Sequence, residues 1–458
     1  MENTNRPFEE TLALATRARN LYFIGICGVS MAGLAAMATA RGWQVAGCDR
    51  DYSGAAAHAL FRLGIRVSPE SDPRPEGAEA FVYTTAIREN SPAVQYALEK
   101  GLPLLSRADF LAVLMAPARV RIAVAGMHGK STTVGMLAAV LSAAGLDPTV
   151  SCGAPLTPGG SAYRIGGGEI FLAEACEYRD AFLALAPTLA VVTNIDLDHP
   201  DWFRDLGAVK SSFLAFFARS ERAVIGADCA ALRDIAPVGA VGFGYGPGAL
   251  YRGADTPGGL CVFRGGQVLG TVPLPIRGHY NRENALAATA AAAELGIPFP
   301  TIRDALAAFR GIGRRMETVG QMRGATVVLD YAHHPTEIAA SLTAAAERTC
   351  EEGGRVLCLF QPHTYTRTAA LWEDFAAALA LADETLLLDI YAAREEPLPG
   401  ITSAALASVC GADYAPDFGA AAEWAVSHAR AGDLLLIMGA GDIDRLVRYL
   451  PLGADAEE

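Results

Sequence analysis

From Asn20 to Asp49 the chain runs through an apolar block, a turn with several glycines, an alanine-rich stretch without proline, and a second apolar block. Short apolar runs bounded by turn residues read as buried strands, and a proline-free alanine-rich stretch between them reads as a helix. The segment therefore predicts a strand-helix-strand unit, and Ala80–Thr84 adds a strand to the same sheet. The texture breaks at Met115-Ala-Pro-Ala, and a second strand-turn-helix begins at Arg121 (RIAVAGMHGKSTTVGMLAAVLSAAG). Buried-looking strands follow at Ile170–Glu174 and Leu189–Asn194, then a helix over Arg282–Leu295 that the segment from Gly296 to Pro300 terminates. A third unit opens after GIGRR, residues 311–315. Its strands, Thr326–Asp330, Arg355–Phe360, Glu384–Asp389 and Asp433–Met438, alternate with helical stretches. The alternation predicts an α/β protein of three units in series, 1–117, 118–315 and 316–458, built on mostly parallel sheets.

Length and composition agree. At roughly 150 residues per domain, 458 residues give about three domains. With 52% hydrophobic and 19% charged residues, the chain lies far from the composition of disorder. Thirty-seven basic against 50 acidic residues give a net charge of −13, and with no local basic patch this argues against nucleic acid as a partner. The N-terminus lacks a basic segment leading into an apolar one, and no apolar run is long enough to span a membrane. The nine cysteines are scattered and never spaced C-x-x-C, which speaks against a disulfide framework and for a reducing, cytoplasmic setting.

The sharpest chemical signal is Gly126-Met-His128-Gly129-Lys130-Ser131-Thr132, directly after a strand and directly before a helix. In that context glycines let backbone N–H groups face phosphates and the helix N-terminus adds its positive end. Lys130 can then reach the β- and γ-phosphates, and Ser131 can ligate Mg²⁺. The turn Gly25-Ile-Cys-Gly28-Val-Ser30-Met-Ala-Gly33, with Asp49 after the next strand, suits a nucleotide or pyrophosphate, although its spacing is not that of a nicotinamide site. Glu174 and Asp196-Leu-Asp198-His199 follow strands of the phosphate-loop unit, where open α/β sheets place oxygen ligands for Mg²⁺. In the third unit, Asp330-Tyr331-Ala-His333-His334 and Gln361-Pro-His363-Thr-Tyr-Thr-Arg367 also follow strands, and two adjacent imidazoles before a proline make a poor zinc site.

Taken in order, GICGVSMAGLA, AGMHGKSTT, AEACEYRDAFL, TNIDLDHPD, GHYNRENALAA, GIGRRMETVG, DYAHHPTEI, FQPHTYTRT, DIYAAREEPLPG and IMGAGDI resemble the Mur ligase family across essentially the whole chain, and within it the branch that adds L-alanine to UDP-N-acetylmuramate. The resemblance implies a Rossmann-like N-terminal domain for the UDP-sugar, a central P-loop ATPase domain, and a Rossmann-like C-terminal domain for the amino acid. It implies a reaction in peptidoglycan precursor synthesis: ATP activates the lactyl carboxylate as an acyl phosphate, and the amine of L-alanine forms the amide. ATP would be co-substrate and Mg²⁺ (or Mn²⁺) the cofactor, in a monomer or homodimer. Carried over to this sequence, Gly126, His128, Gly129, Lys130, Ser131, Thr132, Asn281, Asn284, Arg314 and Asp330 would bind ATP. Ser131, Glu174 and His199 would serve metal. Lys130, Glu174, His199 and His334 would act in catalysis. Gly25, Gly28, Ser30, Asp49, Thr84, Thr85, Arg107, Tyr331, His333 and Arg367 would meet the other substrates. The chain departs from the family pattern at Cys27 and Ser30, usually Gly, and at Met127, Cys176 and Thr364, usually Thr, Asp and Arg. Some family members carbamylate a lysine downstream of the D-H-x-D segment, the place of Lys210, but the alanine-adding branch generally does not. Rival readings are a ligase that recycles a preformed peptide, a nicotinamide-dependent oxidoreductase, and a sugar-nucleotide-binding homologue with weak or lost ligase activity.

Overall fold

The computed structural model describes residues 10, 13–14, 17–84, 87–199, 202–350, 353–393 and 395–453. They form two compact units, Met1–Asp196 with Leu206–Pro273 and Asn284–Ala308, and Leu197–Asp205 with Leu274–Glu283 and Phe309–Glu458.

The first unit holds two sheets. One is five-stranded and parallel, in the order Arg66–Pro69, Gln44–Asp49, Asn20–Ile24, Ala80–Tyr83, Leu104–Ser106. Tyr22, Phe23, Phe81 and Val82 are fully or almost fully buried, as strands covered on both faces require. Helix Val29–Ala40 buries Leu34, Ala35, Met37 and Ala38. Helix Arg107–Met115 starts at a reciprocal capping box between Ser106 and Asp109, and its Phe110 packs edge-on against Phe23.

The second sheet has ten strands: Gln267–Val272, Gly259–Arg264, Tyr251–Thr256, Val241–Gly244, Ala223–Gly226, Leu189–Val192, Val120–Ala125, Ile170–Glu174, Thr149–Ser151 and Tyr163–Arg164. Its centre is parallel and its two margins are antiparallel. The register matters for the site. Ala125 stands opposite Val192, and Val124 opposite Glu174, so the turns after all three strands leave at one end of the sheet.

The second unit has a six-stranded sheet, ordered Glu317–Met322, Ala325–Asp330, Leu434–Met438, Val356–Phe360, Glu384–Leu388, Asp413–Ala415, antiparallel only at its first strand. Alternate residues serve two cores: Val327, Leu329, Leu357 and Leu359 enter one, while Val328, Val356, Cys358 and Phe360 enter the other. Asp330, Met438 and Phe360 stand abreast, so the loops at Tyr331, Gly439 and Gln361 also leave together.

The expected strands around the motifs are present, with ends within a residue or two, and the expected helix over Arg282–Leu295 begins earlier, at His279. Among the described residues no helix is long and apolar enough to cross a membrane. All nine cysteines are free thiols.

Candidate active site

The turn after Val120–Ala125 needs glycine twice. Gly126 has φ 133°, and a Cβ there would lie 2.1 Å from Thr193 Oγ1. Gly129 has φ 81°, and its Cβ would lie 2.2 Å from Asn284 Oδ1. Left-handed backbone and close approach together exclude a side chain. The turn is fastened from the neighbouring strand: His128 N–H donates to Asn194 Oδ1 (2.9 Å), and Thr193 Oγ1 donates to the His128 carbonyl (2.6 Å). Helix Lys130–Ala143 then starts, its N-terminus aimed at the same space.

Lys130 Nζ donates to the carbonyls of Gly126 (2.6 Å) and Met127 (3.0 Å) and lies 3.1 Å from Glu177 Oε2. Burial disfavours the ammonium, yet Glu177, Cys176 and Glu174 together raise its pKa above the ordinary lysine value. It is held charged inside the loop it serves. Ser131 Oγ donates to Glu174 Oε2 (2.7 Å), which also accepts from Gly153 N–H (2.7 Å). A hydroxyl and a carboxylate at a helix N-terminus beside a phosphate loop are the hard donors Mg²⁺ takes, its other positions going to phosphate oxygens and water. The residues present fit that ion. Met127 carries no part of this geometry through its side chain: it contributes its carbonyl, and its side chain is buried. Thr132 is buried in the first turn of the helix, and Thr133 Oγ1 meets Asn284 Oδ1 at 3.3 Å. Lys210 is paired with Asp234 at 2.7 Å.

At the five-stranded sheet, Gly25 has φ 78° and faces Thr84, whose Cγ2 would be 2.9 Å from an added Cβ. Asp49 ties the turn down, accepting from Cys27 N–H (2.8 Å) and Asp51 N–H (3.0 Å). Gly28 has φ −60°, and neither Cys27 nor Ser30 has positive φ, so replacing glycine at these two positions strains no backbone. Thr85 lies outside the described residues. A cavity of about 430 Å³ opens at these strand ends, lined by Arg50, Tyr52, Glu70, Arg88 and Asn90 among others. Sequence reading missed these residues, which follow the strands without a spacing signature. Arg107 opens helix Arg107–Met115, and its charge acts on the half-buried Cys176 thiol, which desolvation and Glu177 push upward.

The second unit gathers a different set. Asp330 is buried, accepting from Met316 N–H (2.7 Å), Ala332 N–H (2.8 Å) and Ser341 Oγ (3.2 Å). Burial raises its pKa against the pull of Arg315 and those donors. The guanidinium groups of Arg314 and Arg315 lie 4.9 and 5.1 Å from the Tyr331 ring centre. Arg314 also donates to the carbonyls of Gly439 and Gly441. His333 Nδ1 lies 3.0 Å from the Tyr331 carbonyl and 3.3 Å from Glu337, and burial pushes its pKa down to about 4. His363 stacks on Tyr391 (5.5 Å, 21°), and burial lowers it to about 3. Both imidazoles are therefore neutral at pH 7. His334 is buried, its Nδ1 3.4 Å from Thr336 N–H. Arg367 donates through Nε (3.2 Å) and Nη2 (3.0 Å) to Asp198 Oδ1, and Nη2 is 3.4 Å from His199 Nδ1. Burial raises the Asp198 pKa, but Arg367 and His199 outweigh it and hold the carboxylate ionised. His199 has φ 54°, a strained value for a non-glycine residue. Asn281, in the first turn of helix His279–Glu294, donates through Nδ2 to the Arg277 carbonyl (2.6 Å).

Apart from Gly25, Gly28, Ser30, Asp49, Thr84 and Arg107 at the five-stranded sheet, the expected residues fall into two described groups. Gly126, Gly129, Lys130, Ser131, Glu174 and Asn284 converge in the first unit. Arg314, Asp330, Tyr331, His333, His334, Arg367 and His199 belong to the second. Sequence reading missed Glu177, Asn194 and Thr193, which complete the phosphate loop from distant positions. It also missed Asp198 as the partner of Arg367.

Comparison with known proteins gives these groups a context. The family description "Mur ligase family, catalytic domain" matches residues 20–119, "Mur ligase middle domain" 124–292, and "Mur ligase, glutamate ligase domain" 314–441. The UDP-N-acetylmuramate–L-alanine ligase of Sorangium cellulosum is 37% identical over 96% of this chain and 97% of its own. That of Streptomyces coelicolor is 40% identical over 94% and 97%. The crystal structure of UDP-N-acetylmuramate-alanine ligase from Thermotoga maritima superposes with a TM-score of 0.79 at 25% identity, covering 94% of this chain and 98% of that one. A murein peptide ligase from Psychrobacter arcticus gives 0.71 at 25% identity, covering the same shares. With three family domains matched in order and relatives of this identity along nearly its full length, the chain belongs to the Mur ligase family.

Proposed function

We propose that the protein is an ATP-dependent carboxylate-amine ligase that joins the lactyl carboxylate of UDP-N-acetylmuramate to L-alanine in peptidoglycan precursor synthesis. The observation that carries the reading is the charged, buried Lys130 inside a phosphate loop, in a chain whose full-length relatives bear that activity in their names. Residues 1–117 serve the UDP-sugar, 118–315 ATP, and 316–458 the amino acid.

A carboxylate is a poor electrophile, and phosphorylation supplies the leaving group. The carboxylate oxygen attacks the γ-phosphorus and ADP leaves; the alanine nitrogen then attacks the acyl carbon and inorganic phosphate leaves. Lys130 and the backbone N–H groups of the loop oppose the charge that builds on the transferring phosphoryl group. Ser131 and Glu174 would hold Mg²⁺, which when bound neutralises phosphate charge. Asn284 keeps the loop in register for ATP. The cavity lined by Arg50, Tyr52 and Arg88 suits a pyrophosphate-bearing nucleotide, and Gly25, Asp49 and Thr84 serve the same substrate from the turns of that sheet. Tyr331, His333 and His334 serve the amine, and the neutral His333 imidazole avoids repelling an incoming ammonium group. Arg367 serves the sugar nucleotide or its carboxylate.

The likeness to a murein peptide ligase keeps a second reading, a preformed peptide as the amine. Phosphate release from Mg-ATP separates the two. Release that requires both UDP-N-acetylmuramate and free L-alanine supports the first reading; release only with an L-Ala-D-Glu-containing tripeptide moves the protein to the second. No release with either amine removes both.

A further inference from the structure

Arg367 sits in a helix that cannot hold itself. Tyr365–Ala370 is six residues long, and its N-cap, Thr364, has φ 66° and makes no side-chain cap. Isolated turns of this length do not persist in water, so the direction of Arg367 is set from outside the helix.

Asp198 holds the guanidinium itself, accepting from Arg367 Nε and Nη2, and support for the helix start comes from the segment after strand Glu384–Leu388. Tyr391 N–H donates to the Pro362 carbonyl (2.8 Å), and Thr364 N–H donates to the Tyr391 carbonyl (2.9 Å). The Tyr391 ring stacks on His363, whose Nδ1 is 3.5 Å from Arg367 Nη1. Four residues further on, Glu395 accepts twice from Thr366: from its N–H at 2.8 Å and from its hydroxyl at 2.5 Å. A carboxylate there does what an N-cap side chain does elsewhere, satisfying an orphan donor and complementing the positive helix end. It does so from a residue 29 positions away along the chain.

We infer that Glu395 is a positioning residue for Arg367: by capping Thr366 it fixes the start of the short helix and so the direction of the guanidinium. The inference rests on the proposed role of Arg367 toward the sugar nucleotide. Glu395 touches none of the reacting groups; its effect passes through Thr366.

The geometry predicts which substitutions matter. Glu395→Ala removes both acceptors and leaves Thr366 N–H to water. Glu395→Gln keeps an acceptor for the N–H and offers its amide N–H to the Thr366 oxygen, so it preserves the cap without the charge. We expect Glu395→Ala to raise KM for UDP-N-acetylmuramate about fivefold, within the range that loss of a charge-assisted hydrogen bond produces. KM for ATP should stay unchanged, and Glu395→Gln should stay within about twofold of the parent.

Hydrogen–deuterium exchange on the same three proteins reads the cap itself. Peptides covering residues 361–371 should exchange faster in Glu395→Ala and as in the parent in Glu395→Gln. A parent that lacks UDP-N-acetylmuramate-dependent turnover overturns the reading of Arg367, and with it the inference in this form, whatever the exchange shows. With an active parent, unchanged exchange and unchanged KM in Glu395→Ala overturn the positioning role. So does an equal rise of KM in the Gln and Ala variants, which would make charge, not capping, the cause.

Discussion

Gly129 and Gly145 share a left-handed backbone, φ 81° and 72°, but differ in what surrounds them. A Cβ at Gly129 would meet Asn284 Oδ1 at 2.2 Å, whereas nothing lies within 4 Å of one at Gly145. Gly145→Ala should therefore cost only conformational strain, about 1 kcal/mol of stability, with turnover intact. Gly129→Ala should in addition displace Asn284 and crowd the phosphates, lowering ATP turnover at least about tenfold, or 1.4 kcal/mol. Denaturant midpoints and initial rates on the two variants check this, and equal loss of turnover in both would mean that strain, not approach, is what the loop cannot tolerate. Gly126, Gly129, Lys130 and Ser131 were legible because a phosphate loop packs its signature into seven consecutive residues. Glu177, Thr193 and Asn194 were not, because each reaches the loop from between 47 and 66 positions away and carries no motif of its own; Asn284 entered only through the family resemblance.

Strands Val356–Phe360 and Leu434–Met438 lie side by side, and their entry is held by Arg355 and Asp433. Asp433 is buried and accepts from Arg355 Nη2 (2.7 Å), Arg355 N–H (3.0 Å) and Arg430 N–H (3.0 Å). Burial alone would raise its pKa, but these donors outweigh it and hold the carboxyl below the ordinary aspartate value. A carboxyl depressed in the folded state contributes stability above its unfolded pKa, about 3.9, and loses that contribution as pH falls below it toward the folded value. Asp433→Asn should lower stability at pH 7 by about 1 to 3 kcal/mol. The difference between variant and parent should shrink below about pH 4, and urea titrations at pH 7 and at acid pH measure it. A difference independent of pH would assign the effect to packing. The apolar runs of both strands were readable directly, since each is buried on both faces. The antiparallel strands over 251–272 were not singled out, because they are short, interrupted by glycines and only half-buried, without the continuous apolar run of the central strands.

The first unit carries two sheets, and the reading assigns a different ligand to each: the UDP-sugar to the five-stranded sheet and ATP to the ten-stranded one. Each ligand should stabilise the parent by linkage, by about 2.7 kcal/mol at a hundredfold excess over Kd. Lys130 sits wholly within the ATP loop, in contact with Gly126, Met127 and Glu177. Lys130→Ala should therefore abolish phosphate release and the rise in Tm caused by Mg-ATP while preserving the rise caused by UDP-N-acetylmuramate. Thermal melts with each ligand alone read the two responses separately. If both were lost together in a variant that remains folded without ligand, the two nucleotides would share a site and the assignment of one to each sheet would be wrong. Retention of the Mg-ATP response would instead remove Lys130 from triphosphate binding, leaving the loop's backbone N–H groups and Ser131 to carry it.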